Sequence, residues 1–207
     1  NYLAVLLIGS LLVLQNLSFG YSSDLDSMFV IQKSMQFLHR GYLPSRSWGF
    51  PLYEFAIYPL IALFGIESAK IYSLILYLGT ILIFHLIIQT IERNLYTQFI
   101  STLAWAVSPL AVISGNTILE TSQGVFLALL GLYFFVKSVK NSKKKTLLLL
   151  LGCVSLGFAT ATRPDYFIFS ASLLIAYFFT QRVSVQFVLV LSTTWLASAI
   201  FPFLIYS

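Results

Sequence analysis

The chain has 207 residues, 58% of them hydrophobic and 9% charged, with a formal net charge of +5. That apolar surface exceeds what a water-soluble domain of this size can cover, so the composition is that of a polytopic membrane protein. Nucleic-acid binding is excluded, because the basic excess sits at the ends of apolar runs, where it orients spans rather than forming a phosphate-tracking patch.

Residues 2–19 form one apolar run, long enough for a crossing at about 20 residues per span. The run lacks the basic start and small-residue cleavage site of a signal peptide. Residues 20–52, GYSSDLDSMFVIQKSMQFLHRGYLPSRSWGFPL, are polar by contrast and carry Asp24, Asp26, Lys33, Arg40 and Arg46. Leu25, Met28, Phe29, Gln32, Met35 and Leu38 recur there at helical spacing, which predicts an amphipathic helix over 24–40 lying along the membrane surface. Ser23 and Asp26 have capping-box spacing, and Gly41 suits the C-terminal stop.

Residues 50–66 are apolar but short, with Pro51, Glu54 and Pro59, and read as a surface or re-entrant helix or as a span. Further spans are expected at 71–90, 99–114, 124–136, 146–161, 167–179 and 183–206. Polar links fall at 115–121 and 162–166. Lys137, Lys140, Lys143, Lys144 and Lys145 mark one loop as cytoplasmic, which places both polar links outside. If 50–66 does not cross, there are about seven spans, the N-terminus is inside and the Asp24–Asp26 region is outside. If it does cross, that region moves inside. Charge counting favours the second topology; length, Glu54 and the prolines favour the first. Asn1 in place of a methionine, and the apolar C-terminal run, suggest a piece of a longer chain.

The order of features resembles the GT-C class of membrane glycosyltransferases, closest to the protein-mannosyltransferase and aminoarabinose-transferase type. The likeness rests on SSDLDSMF at 22–29 after the first span, Gly41 after an amphipathic helix, and WGFPLYEFAIYPLIALFG at 48–65. It continues in SPLAVISGNTILETSQGVFLALLGLYFF at 108–135 and GFATATRPDYFIF at 157–169. The resemblance implies an all-α transmembrane bundle of about seven spans, residues 1–207 as one module, and juxtamembrane helices in a first outer loop at 20–67. It also implies transfer of a sugar from a polyprenyl-phosphate donor to a lipid, glycan or protein acceptor. That transfer would occur on the extracytoplasmic side of the plasma membrane, or of the endoplasmic reticulum in a eukaryote.

Such a transfer needs a base for the acceptor hydroxyl and cations or helix N-termini for the departing phosphate. Asp24 and Asp26 are the base candidates, weighed against simple helix capping and against ligation of a divalent cation such as Mg or Mn. Arg163 is the leading phosphate ligand, weighed against a local pairing with Asp165; Arg40, Arg46 and Lys70 are alternates. Glu120 with Asn116, and Glu54, could orient sugar hydroxyls or merely cap helices. His85 is expected to hydrogen-bond between helices, and Cys153 to pack as a small hydrophobe. The rival reading is a transporter or flippase for the same kind of lipid-linked sugar, since charges and broken helices also suit a substrate path.

Overall fold

The computed structural model describes residues 2–16, 25–45, 50–118, 120–181 and 184–204. Among these the chain is helical, with no strand. The helices are α1 (Tyr2–Asn16), α2 (Leu25–Arg40), α3 (Pro51–Phe64), α4 (Glu67–Ile91), α5 (Leu95–Ala106), α6 (Pro109–Asn116), α7 (Thr121–Lys140), α8 (Lys145–Thr162), α9 (Tyr166–Gln181) and α10 (Val185–Leu204). Four of them, α4, α7, α8 and α10, are long and apolar enough to cross a membrane, while α1, α3 and α9 are shorter apolar helices. Large apolar side chains such as Leu3, Ile75, Ile168, Phe179 and Leu189 face outward, as they would toward lipid rather than water.

The bundle has two chemically distinct ends. At one, Lys140 Nζ donates to the Thr90 carbonyl and Gln98 Nε2 donates to the Glu92 carbonyl at 2.8 Å, which gathers the ends of α4 and α7 with the start of α5. At the other, Ser73 Oγ donates to the Thr117 carbonyl at 2.9 Å, and Arg163 Nη1 donates to Thr121 Oγ1 at 2.8 Å. Helices α4, α7 and α8 run between these ends.

α3 does not run between them. Near its start, the Leu52 carbonyl accepts from Gln123 Nε2 at 3.4 Å, and Gln123 Oε1 accepts from Tyr72 Oη at 2.9 Å. Its last residue is followed at once by Gly65, Ile66 and the first turn of α4. Both ends of α3 therefore meet the same end of the bundle. Its Tyr53, Ile57, Tyr58 and Ile61 bury against Val30 and Ile31 of α2, Ala69 of α4 and Ile118. The turn out of α3 uses Gly65 at φ +80°, a left-handed conformation that side chains disfavour.

α2 matches the expected 24–40 over its described residues, Leu25–Arg40, and Gly41 ends it at φ +72°. Its two faces divide the work. Ser27, Val30, Ile31 and Ser34 are buried, and the small serines let α2 approach its neighbours. The predicted stripe of Met28, Phe29, Met35 and Leu38 is exposed, the arrangement of a surface helix dipping its apolar side into lipid.

One expected element is different. The run at 99–114 is not a single helix: α5 ends at Ala106 and α6 begins at Pro109. Pro109 has no N–H and would clash within a continuous helix, so it occupies the first turn of a new one. Ser108 caps that turn by accepting from Ala111 N at 3.3 Å. The Ala106 carbonyl freed by the break accepts from Tyr77 Oη at 2.5 Å.

Glycines set the closest helix crossings. A Cβ on Gly131 of α7 would lie 2.7 Å from Leu156 Cγ, and one on Gly157 of α8 would lie 2.5 Å from the Trp195 carbonyl oxygen. These are the close approaches that small residues permit between membrane helices. His85 links α4 to α5 through Thr102 Oγ1 at 3.1 Å, as expected. The Thr102 hydroxyl already donates to the Gln98 carbonyl at 2.7 Å, so His85 Nδ1 carries the proton in that bond. Cys153 is buried and unbridged.

Candidate functional site

The α6–α7 link at 117–120, of which residue 119 lies outside the described residues, is where polar groups from several helices meet at the end opposite the lysines. From α2, Ser27 Oγ donates to the Ile118 carbonyl at 3.3 Å, which brings the first turn of α2, including Asp26, beside the link. From α4, Ser73 holds Thr117, and Lys70 lies one turn earlier on the same face. Lys70 is buried and pairs with the exposed Glu67 at 3.6 Å. Glu120 is buried within the link, immediately before Thr121.

The α8–α9 turn completes the site. α8 ends at Thr162 because Arg163 adopts extended backbone and Pro164 cannot continue the helix. Arg163 Nε then pairs with Asp165 Oδ2 at 3.0 Å, and its Nη1 reaches Thr121. The local Arg163–Asp165 pairing foreseen from the sequence is present, but the guanidinium fork also joins α8 to α7. Burial pushes the Tyr166 phenol above its ordinary pKa; Arg163 pulls it back, while Asp165 and Glu120 push it further up. All three charges are thus within electrostatic reach of one ring.

Below these groups lies a mostly apolar cleft of about 750 Å³ between α4, α5, α6 and α7. Its walls include Phe84, Trp105, Pro109 and Val125; of the groups above, Thr121 and Tyr166 line it, while Arg163, Lys70, Glu120 and Asp26 are not among its lining residues. Ala104 and Pro109, which also line it, are exposed. The volume falls within the range of sites that enclose a large organic ligand. The α5–α6 break shapes one wall, since Trp105, Ser108 and Pro109 all contribute to it.

Several candidates lie elsewhere. Arg40 is exposed at the far end of α2, roughly 21 Å along the helix from Asp26 at 1.5 Å per residue. Glu54 is fully buried and accepts from Ser45 N at 3.0 Å, from Ser45 Oγ and from the Tyr42 hydroxyl, so its carboxylate is engaged in holding the 41–45 loop onto α3. Asn116 donates to the Val112 carbonyl at 3.1 Å within its own helix; its buried Oδ1 has no partner among the described residues. Asp26 is exposed on the first turn of α2. Asp24 and Arg46 lie outside the described residues, and with Asp24 so does the two-aspartate cation site.

A scan of family models, a search of curated proteins and a search of solved structures each returned no match to this chain. The site's chemistry is therefore read from its own residues. Thr121 and Tyr166 are contributors that sequence reasoning passed over. Both adjoin residues it had singled out, Glu120 and Asp165, so the signal was adjacency within a polar turn.

Proposed function

We propose that this chain is an integral membrane glycosyltransferase of GT-C type, moving a sugar from a polyprenyl-phosphate donor to an acceptor on the face opposite the lysines. The observation that carries the reading is Arg163. It stands bonded to Thr121, which lines an apolar cleft together with Tyr166, three residues after the arginine. A polyprenyl chain needs an apolar slot, and its phosphate needs fixed donors at the water-facing end of that slot.

In this reading the chain crosses seven times, through α1, α4, the broken α5–α6 pair, α7, α8, α9 and α10. α2 and α3 cover the active face. The acceptor hydroxyl attacks the anomeric carbon as the glycosyl–phosphate bond breaks, and the electron pair leaves with the phosphate. Arg163 and the buried Lys70 stabilise that charge. Asp26, or Asp24 before it, takes the hydroxyl proton, and inversion requires no covalent intermediate. Glu120 orients sugar hydroxyls. A divalent cation on the two aspartates would serve the same leaving phosphate.

The test is sugar transfer in membranes by Asp24→Asn, Asp26→Asn and Arg163→Ala variants. Loss of a general base costs roughly 100-fold or more. Full activity in both aspartate variants removes the base assignment, and full activity of Arg163→Ala removes the phosphate assignment. Sidedness is checked by cysteines placed at Asp165 and Lys143, both exposed, against the buried Cys153. Labelling of both from the same side of intact cells would overturn the topology.

A second reading, movement of a lipid-linked sugar without bond chemistry, draws on the α5–α6 break in the cleft wall. Proteoliposomes that deliver labelled sugar-lipid unchanged to the opposite leaflet would select it.

A further inference from the structure

The α7–α8 turn carries five lysines in nine residues: Lys137, Lys140, Lys143, Lys144 and Lys145. None forms an ion pair with a described residue. Glu92 is the acidic residue at that end among those described, and its carboxylate accepts from the backbone N–H groups of Arg93 and Asn94 at 2.7 and 2.8 Å. Exposed Arg93 adds a further positive charge. The field at this end is therefore strongly positive, six cations against one carboxylate among the described residues.

Two of these lysines are held in place. Lys140 Nζ sits on the Thr90 carbonyl at the C-terminal turn of α4, where the helix dipole favours a cation. Lys137 Nζ donates to Tyr133 Oη at 2.7 Å and lies 5.0 Å from that ring's centroid. Because the Tyr133 oxygen accepts from an ammonium, its own proton points elsewhere. One face of α7 thus presents ammonium hydrogens and a phenol O–H side by side, the donor set that a phosphate takes.

The position selects the partner. α7 ends at Lys140 and α8 begins at Lys145, with one short 3₁₀ turn at Ser142–Lys144 between two helices of membrane-spanning length and apolarity. So short a turn keeps every lysine within reach of lipid headgroups and cannot carry the charges out to grip a polyanion in solution. We propose that the α7–α8 turn is a binding site for anionic phospholipid, with Lys137 and Tyr133 holding one headgroup phosphate and the remaining lysines attracting its neighbours.

The experiment uses the full chain in a neutral detergent, incubated with equal amounts of phosphatidylglycerol and phosphatidylcholine. Retained lipid is quantified by mass spectrometry after gel filtration. Wild type should retain phosphatidylglycerol several-fold over phosphatidylcholine, less so as salt rises. Each neutralised lysine near the surface should lower that preference on the order of fivefold at low salt. Tyr133→Phe with Lys137→Gln should remove most of it. Lys143→Gln with Lys144→Gln, at exposed positions that leave folding alone, should reduce it in steps. Arginine at all five positions should preserve it. Equal retention of the two lipids by wild type, or a preference untouched by both double variants, overturns the proposal. So does an RNA oligomer that binds the solubilised chain and displaces phosphatidylglycerol.

Discussion

Replacing Glu54 with alanine should loosen the α2–α3 layer whatever substrate the protein uses. The carboxylate is fully buried and takes three donors: the Tyr42 hydroxyl, Ser45 N and Ser45 Oγ. A hydrogen bond to a charged group contributes about 1.5–3 kcal/mol, and stranded buried donors add their own desolvation cost. The three bonds are not additive, because both Ser45 donors share Oε1. Losing the acceptor strands neutral donors rather than an opposite charge, so the cost should be about 3 kcal/mol, one or two charged hydrogen bonds plus the desolvation of what they leave behind. Glu54→Gln keeps an oxygen for Ser45, and the Tyr42 hydroxyl can turn to accept from the new amide; that change should cost about 1–2 kcal/mol. Thermal unfolding followed by tryptophan fluorescence should rank wild type above the glutamine variant and that above the alanine variant, with the alanine midpoint roughly 10 °C down. An alanine variant that melts with wild type refutes the reasoning. So does a glutamine variant with wild-type stability and no activity, which would make Glu54 a substrate ligand rather than a fastener of the loop.

Three further outcomes follow from the packing and the titrating groups. Gly157→Val should destabilise by about 1–3 kcal/mol or more, because its Cβ meets the Trp195 carbonyl and Ala199 nitrogen of α10, backbone atoms that cannot step aside; the same melting assay reads it. Gly41→Ala meets nothing within 4 Å, so its cost should come from φ +72° alone, about 1 kcal/mol. Tyr166 holds its proton longer in the folded chain than in the unfolded one. Below the ordinary phenol range both states are protonated and the shift contributes nothing. Above it the unfolded state releases a proton that the folded state keeps, so stability falls as pH rises. Alkaline melting curves should fall less steeply for Tyr166→Phe than for wild type.

Hydrophobic run length located the helices, because lipid-facing and core-facing residues are both apolar in such a protein and the run survives burial on either side. The same property hid the α5–α6 break: Trp105 through Val112 stays apolar across Ser108 and Pro109, and only the cap-plus-proline pair betrays it. The amphipathic reading of α2 located the helix and its lipid-side stripe. It did not reveal the face that packs, since Ser27 and Ser34 look solvent-directed in a linear pattern yet are fully buried. Arg163 stood out because an arginine at the end of an apolar helix needs a partner. Its bond to Thr121 spans 42 positions in sequence, and no local pattern encodes a contact of that length. Glu54 shows the converse: a carboxylate in an apolar helix reads as a ligand for sugar hydroxyls or a cap, and only the fold reveals the three donors that the 41–45 loop brings to it.

The outward row of Met28, Phe29, Met35 and Leu38 has a mechanical consequence. A helix greasy on one side and clasped through Ser27 on the other would behave as a float, with the rest of the bundle hung from it at a fixed draught. Ser27 ties that float to the link that bears Glu120 and leads into Thr121. Changes in acyl-chain order at the bilayer surface would thus tug on that link directly, and its hold on the neighbouring helix ends should track how tightly the surrounding lipids are packed.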